Sequence, residues 1–367
     1  MEKPTAQRSV SLDTLRGIAV LLVLCWHMPV SEKLPGWMLE PLRIVKRGGW
    51  TGVDLSFVLS GFLISGLLFR EWQRSGQLNV GRFLIRRCFK LCPGFYVMLG
   101  AVFGWFIYYN PFPGWNFIFS EALFVQNYGP TFLPHTWTLA VEAHFYLTLP
   151  LLLWLIRGKV QRPFALLPFF VIGVAITCLL FRIQAVGAEH NRLANNDPYG
   201  LRSFYPATHL RCDSLFFGVL ISWLYHFRRL TFDRIASMHW LLLIAGIALF
   251  TPAFIFELGP TWPLSTWGFT ALYLGAGALL IVCIRSESGF RPLAMVGYYS
   301  YSIYLWHIPI DRILLPMVVP KNLSALSSLG IYFAATIVIG ILLSFLIEIP
   351  ALRYRDRVFP EREPSRR

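Results

Sequence analysis

Long apolar stretches recur along the whole chain, and they constrain its fold more than any other feature. A helix of about 20 apolar residues crosses the hydrocarbon core of a bilayer. Ten such stretches are recognisable: 12–30, 51–69, 92–109, 138–156, 164–182, 212–227, 240–257, 266–284, 298–315 and 326–347. Only 14% of the 367 residues are charged, too few for the surface of a soluble protein of this length. The sequence therefore predicts an all-α polytopic membrane protein, a bundle of about ten transmembrane helices.

Lysine and arginine residues are distributed unevenly between the two sides that alternating spans would create. The chain has 33 of them against 19 Asp and Glu, a formal net charge of +14. Most lie on the same side as the N-terminus, and the other side holds Lys33, Arg43, Lys46, Arg47, Arg182, Arg192, Arg202, Arg211, Arg312 and Lys321. Because cytoplasmic loops carry the excess of positive residues, both termini are predicted in the cytoplasm. This placement explains the charge without nucleic acid as a partner.

The first span carries three polar side chains, Asp13, Arg16 and His27, which are costly inside a membrane. Eleven residues separate Arg16 from His27, and at about 100° each they exceed three full turns by only about 20°. The two side chains therefore share a face, about 16 Å apart along the helix, with Asp13 one turn before Arg16. This arrangement is typical of a tunnel wall. The alternative is a snorkelling arginine and a core histidine bonded to a neighbour.

Two buried carboxylates are predicted in the second and fourth spans. Asp54 either orients His27, pairs with an arginine or caps its helix. Glu142 shares a helix face with Tyr146 at i, i+4, and a membrane glutamate of this kind favours a functional role. Small residues in the second span indicate close helix packing.

Arg87 and Lys90 lie at i, i+3 at the predicted cytoplasmic end of the third span. Clustered cations there suit a ligand that carries phosphate, and the alternative is an ordinary positive-inside anchor. Further polar groups end or interrupt later spans: Arg211 and Asp213 in the sixth, and Tyr304 and His307 in the ninth. Each of these could also be a packing hydrogen bond.

Taken together, these stretches resemble the acyltransferase 3 family of membrane acyltransferases. The resemblance runs through SLDTLRGIAVLLVLCWH, GVDLSFVLSGFLI, FLIRRCFKLCPGFY, WTLAVEAHFYL, RCDSLFFG and YSYSIYLWH, in the family's order. It implies about ten spanning helices and transfer of an acyl group, usually acetyl, from cytoplasmic acyl-CoA to a cell-envelope carbohydrate such as O-antigen. The acceptor is expected to be a glycan, free or lipid-linked, and the protein is expected in contact with membrane lipid in a bacterial inner membrane. Acetyl-CoA enters as co-substrate, with no metal and no permanently bound cofactor.

The resemblance also implies roles for particular residues. The family's Arg-x10-His signature falls on Arg16 and His27, and its Arg-x-x-Arg element falls on Arg87 and Lys90, where lysine departs from the pattern. His27 is expected as general base or transient acyl carrier, and the three cations as ligands of the CoA phosphates. The expected supporting residues are Asp54 or Glu142, holding the His27 tautomer, and Asp13, Arg211, Asp213, Tyr304 and His307, binding substrate or acyl-CoA.

One transmembrane domain, 1–350, and a basic cytoplasmic tail, 351–367, are predicted, with disorder from Arg353 onward. No fused extracellular domain is expected, and Asp13 argues against a cleaved signal peptide. Segment 110–137 is interpreted as re-entrant or interfacial, and 183–211 as an external lid loop. The main rival function is a proton-coupled or lipid-linked glycan transporter, whose relay would use the same polar groups. A non-catalytic sensor is a second rival.

Overall fold

The computed structural model describes residues 9–109, 114–158, 163–194, 205–259, 263–286, 289–320 and 322–360, and this part of the chain is helical without strands. The helices are α1 (Val10–His27), α2 (Gly36–Gly48), α3 (Gly52–Ser75), α4 (Val80–Tyr109), α5 (Trp115–Ala122), α6 (Trp137–Leu155), α7 (Leu167–Ala194), α8 (Thr208–Phe227), α9 (Arg229–Ser237), α10 (His239–Ile255), α11 (Phe269–Ser286), α12 (Arg291–Tyr298), α13 (Ser300–Pro309), α14 (Leu315–Val318), α15 (Ala325–Leu343) and α16 (Ile349–Val358). Three π-helical segments interrupt them: Pro263–Gly268, Ile310–Leu314 and Ser344–Glu348.

Seven helical segments of the described chain are long and apolar enough to cross a membrane. An eighth arises if α9 and α10, bent by 75°, form one broken span. Two further predicted spans coincide with helices that are not among these seven. The first is α8, which carries Arg211 and Asp213, and the second is α13 with its π-helical continuation, which carries Asp311 and Arg312. These charged side chains lower the mean hydropathy of the two helices. The protein is therefore an all-helical polytopic membrane protein.

Parts of two segments predicted to lack helix are helical instead. Helix α7 continues to Ala194, so 183–194 belongs to a helix and not to an external lid loop. Residues 195–204 of that loop and 361–367 of the tail lie outside the described residues. Helix α16 continues to Val358, so the prediction of disorder from Arg353 is wrong for 353–358. Contacts with α4 hold this helix: Arg86 pairs with Asp356 at 3.1 Å and donates to the Phe359 carbonyl oxygen.

Glycine permits backbone contact between α3 and α8 at the centre of the bundle. A Cβ at Gly61 would lie 1.9 Å from the Leu215 carbonyl oxygen, and one at Gly218 would lie 2.0 Å from that of Val58. The predicted small-residue packing is therefore confirmed. Since lipid offers no hydrophobic drive for helix association, close contact of this kind is a principal source of cohesion.

Four buried charged side chains tie α3, α7 and α8 together. Arg211 donates from Nη2 to both carboxylate oxygens of Asp54, at 2.9 Å each. Arg182 donates to Asp213 at 2.8 Å. The Arg211 guanidinium also lies 4.0 Å from the centre of the Phe269 ring. Each charge is neutralised within its pair, which offsets part of the cost of removing it from water.

This network bears on the sequence expectations for Asp54, Arg211 and Asp213. Asp54 pairs with an arginine, one of its predicted alternatives, and so orients Arg211 rather than His27. Arg211 and Asp213 are at most 3% exposed and contact other helices, so their geometry is that of packing ties and not of an open ligand site.

Replacing Arg211 with methionine leaves Asp54 buried without its cation, so we expect the free energy of unfolding to fall by about 3–5 kcal/mol. Adding Asp54→Asn removes the stranded charge and should recover much of the loss. Unfolding in detergent micelles measures both variants. Arg43→Gln, at an exposed pair with Glu32 and Glu40, is the control and should have little effect. Equal destabilisation in the single and double variants would contradict the pairing.

A buried carboxylate organises the segment between α5 and α6. Glu121 is 0% exposed, and its two oxygens accept from the hydroxyls of Thr131, at 2.5 Å, and Thr136, at 2.8 Å. Thr136 ends the 3-10 turn Pro134–Thr136 that leads into α6. Burial raises the pKa of Glu121 to about 7. The segment therefore folds back against the protein, held by an acid that titrates near neutrality.

Glu121→Gln should flatten part of the pH dependence of stability. Because the folded state raises the pKa of this carboxyl, the folded protein binds the proton more tightly than the unfolded chain. The Glu121 contribution to stability is therefore present at about pH 4 and is lost as the pH rises towards about 7. Thermal unfolding at about pH 5 and pH 8 should show wild type losing stability relative to the variant. Parallel pH profiles would show that Glu121 ionises normally.

Candidate active site

Three imidazoles meet at the C-terminal end of α1. His27 ends α1, His307 lies on α13, and His135 lies in the turn before α6. The ring centres are 4.9 Å apart for His27 and His307, and 4.9 Å apart for His135 and His307. His307 and His135 are buried, while His27 is partly exposed. We call these three residues the histidine cluster, in which the reachable ring is that of His27.

Backbone carbonyl groups fix the two buried rings. His135 donates from Nε2 to the Leu305 carbonyl oxygen at 2.9 Å, and His307 donates from Nδ1 to that of Tyr304. The Tyr304 hydroxyl donates in turn to the His135 carbonyl oxygen at 2.7 Å. In each neutral imidazole the other nitrogen is then an acceptor, and these atoms, Nδ1 of His135 and Nε2 of His307, have no hydrogen-bond partner in the described structure. The cluster therefore contains buried basic nitrogens that are available to a ligand or water.

The other end of α1 carries a second polar group of residues. Arg16 pairs with Asp13 at 2.8 Å, which confirms that they share a helix face. Arg87 on α4 and Glu142 on α6 lie close enough for their charges to interact with each other and with Arg16. We call these four residues the Arg16 cluster. Since α1 is unbroken from Val10 to His27, about 16 Å of helix rise separates it from His27.

Glu142 belongs to this cluster and not to the histidine cluster. Its oxygens accept from Ser60 and from Tyr146, at 2.8 Å each, and the second contact is the i, i+4 pair expected from the sequence. In this geometry Glu142 is therefore bonded to Ser60 and Tyr146, and its expected role at His27 stays a prediction. The His27 ring is instead packed against His307.

Lys90 points to a different partner from Arg87. Its ammonium contacts the carboxylate of Glu348, which also accepts from Ser302 at 2.7 Å and Ser344 at 3.0 Å. Arg87 instead has a buried Nε without a partner in the described structure and lies beside the Arg16 cluster. The two cations are thus neighbours on α4 that lie beside different groups of residues.

The structure brings together His27, Tyr304 and His307 at one end of α1, and Asp13, Arg16, Arg87 and Glu142 at the other. Sequence reasoning missed His135 and underrated Glu348. A histidine between Pro134 and Thr136 is typical of a loop. Only its position at the start of an apolar span indicates a functional role. Glu348 had a clearer signal, since a carboxylate inside an apolar segment requires a partner.

A family model described as "Acyltransferase domain" matches residues 9–348. "Peptidoglycan O-acetyltransferase OatA" of Listeria monocytogenes is 30% identical over 337 residues, which are 84% of this chain and 50% of that protein. "O-acetyltransferase OatA" of Staphylococcus aureus is 24% identical over 325 residues, which are 82% of this chain and 50% of that protein.

The chain therefore spans about half the length of the curated relatives that it matches. No solved structure matches it significantly. The family model covers nearly all of the described helices, including both ends of α1 and the segments that supply His135, His307 and Glu348. This chain belongs to the acyltransferase 3 family of membrane acyltransferases.

Proposed function

We propose that this protein moves an acetyl or other short acyl group from cytoplasmic acyl-CoA to a hydroxyl of a cell-envelope glycan. The observation that carries the proposal is the pair of polar clusters at opposite ends of one unbroken helix. Peptidoglycan is the first candidate acceptor, because one relative is named for O-acetylation of it and a second is named an O-acetyltransferase. These names favour peptidoglycan over lipopolysaccharide as the acceptor.

The Arg16 cluster is the proposed site for the phosphates of the donor. Arg16 and Arg87 carry guanidinium groups, which match the geometry of phosphate oxygens. Lys90 adds charge nearby, and a bound phosphate would compete with Glu348 for its ammonium. The pantetheine arm would then extend along α1 towards His27, over a distance of about 16 Å.

His27 is the proposed reacting imidazole, since it is the exposed member of the histidine cluster. As a general base it takes the proton of the acceptor hydroxyl while the oxygen attacks the thioester carbonyl carbon. The C–S bond breaks, and the CoA thiolate takes the proton back. As a nucleophile the imidazole attacks the thioester carbonyl carbon, the C–S bond breaks, and the CoA thiolate leaves with the imidazole N–H proton. The acceptor hydroxyl then attacks the acylimidazole, the C–N bond breaks, and the hydroxyl proton returns to the imidazole. His307, which packs on the His27 ring, takes the orienting role expected of Asp54 or Glu142.

A transporter remains the alternative, because the same His, Arg and Glu groups would serve as a proton relay. Membership in an acyltransferase family favours the enzyme. Transfer of labelled acyl groups separates the two functions directly.

His27→Ala should reduce transfer of label from acetyl-CoA to peptidoglycan fragments by about 100-fold or more, because general acid–base catalysis alone contributes that much. The assay uses the purified protein in liposomes and measures base-labile label on sugar. His144→Ala is the matched control: His144 is a half-buried histidine of α6 whose Nδ1 bonds to Thr208, outside the histidine cluster. Equal transfer by wild type and His27→Ala would refute the catalytic role. Absence of transfer combined with His27-dependent solute uptake would establish the transporter.

Arg87→Met should weaken binding of acetyl-CoA by about tenfold or more, the effect of one lost charge-assisted hydrogen bond, and adding Lys90→Met should weaken it further. The donor KM and the equilibrium affinity measured with CoA both report this. Arg74→Met, at an exposed cation of α3 on the same predicted side, is the control. Unchanged affinity in the double variant would leave Arg87 and Lys90 as positive-inside anchors.

A further inference from the structure

Three charged side chains lie around the histidine cluster at the end of α1 remote from Arg16, and the mechanism above uses none of them. Lys46 lies on α2, and Asp311 and Arg312 lie in the π-helical segment Ile310–Leu314. The sequence places both cations on the predicted external side, where the acceptor glycan would arrive. We call these three residues the outer rim.

A hydrogen bond to the backbone of Met28, the residue after His27, holds the Lys46 side chain near the histidine cluster. Its ammonium donates to the Met28 carbonyl oxygen at 2.6 Å, and Met28 immediately follows His27 at the end of α1. Lys46 is also half-buried. Its ammonium is therefore fixed at the backbone of the residue that follows His27, the proposed reacting residue.

Arg312 lies near the cluster because its π-helical segment continues α13, which carries His307. The π-helical segment follows directly after Pro309, two residues beyond His307. The positive charge of Arg312 acts on His27, His135 and His307. Its guanidinium is exposed and makes no hydrogen bond or ion pair within the described part of the chain. A π-helical insertion of this kind is frequently found at functional sites.

The outer rim has more positive than negative charge. Asp311 is its one carboxylate, and its charge acts on both Lys46 and Arg312. Helix α15, which also packs against this π-helical segment, contributes no Asp, Glu, Lys, Arg or His. Asp311 balances only one of the two cations, so an anionic group on a ligand would meet an uncompensated positive charge here.

We propose that Lys46 and Arg312 form an anion subsite for a carboxylate or phosphate group carried by the acceptor glycan. This inference rests on the proposed function and deepens it. Arginine binds either anion through two parallel N–H groups, and Lys46 adds a point charge. The glycan would thereby be held with a hydroxyl at His27. The carboxylate would come from the glycan or its attached peptide, and the phosphate from a lipid-linked glycan.

Matched acceptors and variants test the subsite. The acceptors are one sugar fragment in three forms: a free carboxylate, its neutral amide, and a phosphate ester. Arg312→Gln should raise the KM for the preferred anionic form by about tenfold or more, the effect of one charge-assisted hydrogen bond. It should leave the KM for the neutral amide and for acetyl-CoA nearly unchanged. Lys46→Met should act in the same direction, and Arg312→Lys should restore part of the affinity.

Arg43→Gln is the control, since Arg43 lies on the same helix as Lys46 but is already paired with Glu32 and Glu40. An unchanged acetyl-CoA KM in Arg312→Gln shows that the variant is folded. A preference of wild type for the carboxylate or for the phosphate form identifies the source of the anion. Wild-type turnover that is alike on charged and neutral acceptors, or a fall in kcat on all three, would overturn the subsite.

Equilibrium binding separates this inference from the proposed function. Binding of each sugar fragment is measured without acyl donor, in wild type and in Arg312→Gln. Tighter binding of an anionic fragment by wild type supports the subsite even where no fragment is acylated, which would refute the enzyme alone. Equal binding by the two proteins refutes the subsite even where acylation proceeds.

Discussion

The pairing of Asp54 with Arg211 couples the two helices on which much of the remaining bundle depends. The pair joins α3 to α8 where glycines already bring the backbones into contact. The Arg211 guanidinium also lies 5.4 Å from the centre of the Trp137 ring, and Trp137 follows the turn that carries His135. In a medium without water, an ion pair of this kind is difficult to break once formed, because each partner would be stranded. The pair thus connects central packing to the position of one wall of the histidine cluster.

Charged residues of this protein differ in how completely they are neutralised. Asp54, Arg211, Arg182 and Asp213 are buried in closed pairs that leave no charge for a ligand. At the two ends of α1 the pairing is less complete: Arg87 feels the charge of Glu142 but forms no ion pair within the described part of the chain, and the outer rim has two cations for one carboxylate. Charges in complete ion pairs therefore hold helices together. Charges that are incompletely paired are suited to binding an anionic substrate at either end of the transmembrane path.

Local helix geometry accounts for what could be predicted. The Asp13–Arg16 contact, the Glu142–Tyr146 bond and the small residues of α3 all follow from spacing along one helix, and all three are present. Contacts between side chains of different helices were harder to predict. Asp54 and Glu142 were both expected near His27, but their partners come from α8, α3 and α6. Arg87 and Lys90 share a face of α4 and yet contact different neighbours.

By itself, the sequence determined the membrane-protein class, the positions of the main helices, and the placing of Arg16 and His27 on one face of α1. Apolar length and the helical period are properties of a continuous segment, so they survive without knowledge of the neighbours. Only the tertiary structure decided that His135 and His307 pack beside His27 and that Glu348 pairs with Lys90. It also decided that Arg312 lies close enough for its charge to act on the histidine cluster. These contacts depend on which helices become neighbours and at what depth, and a helical period carries no information about either.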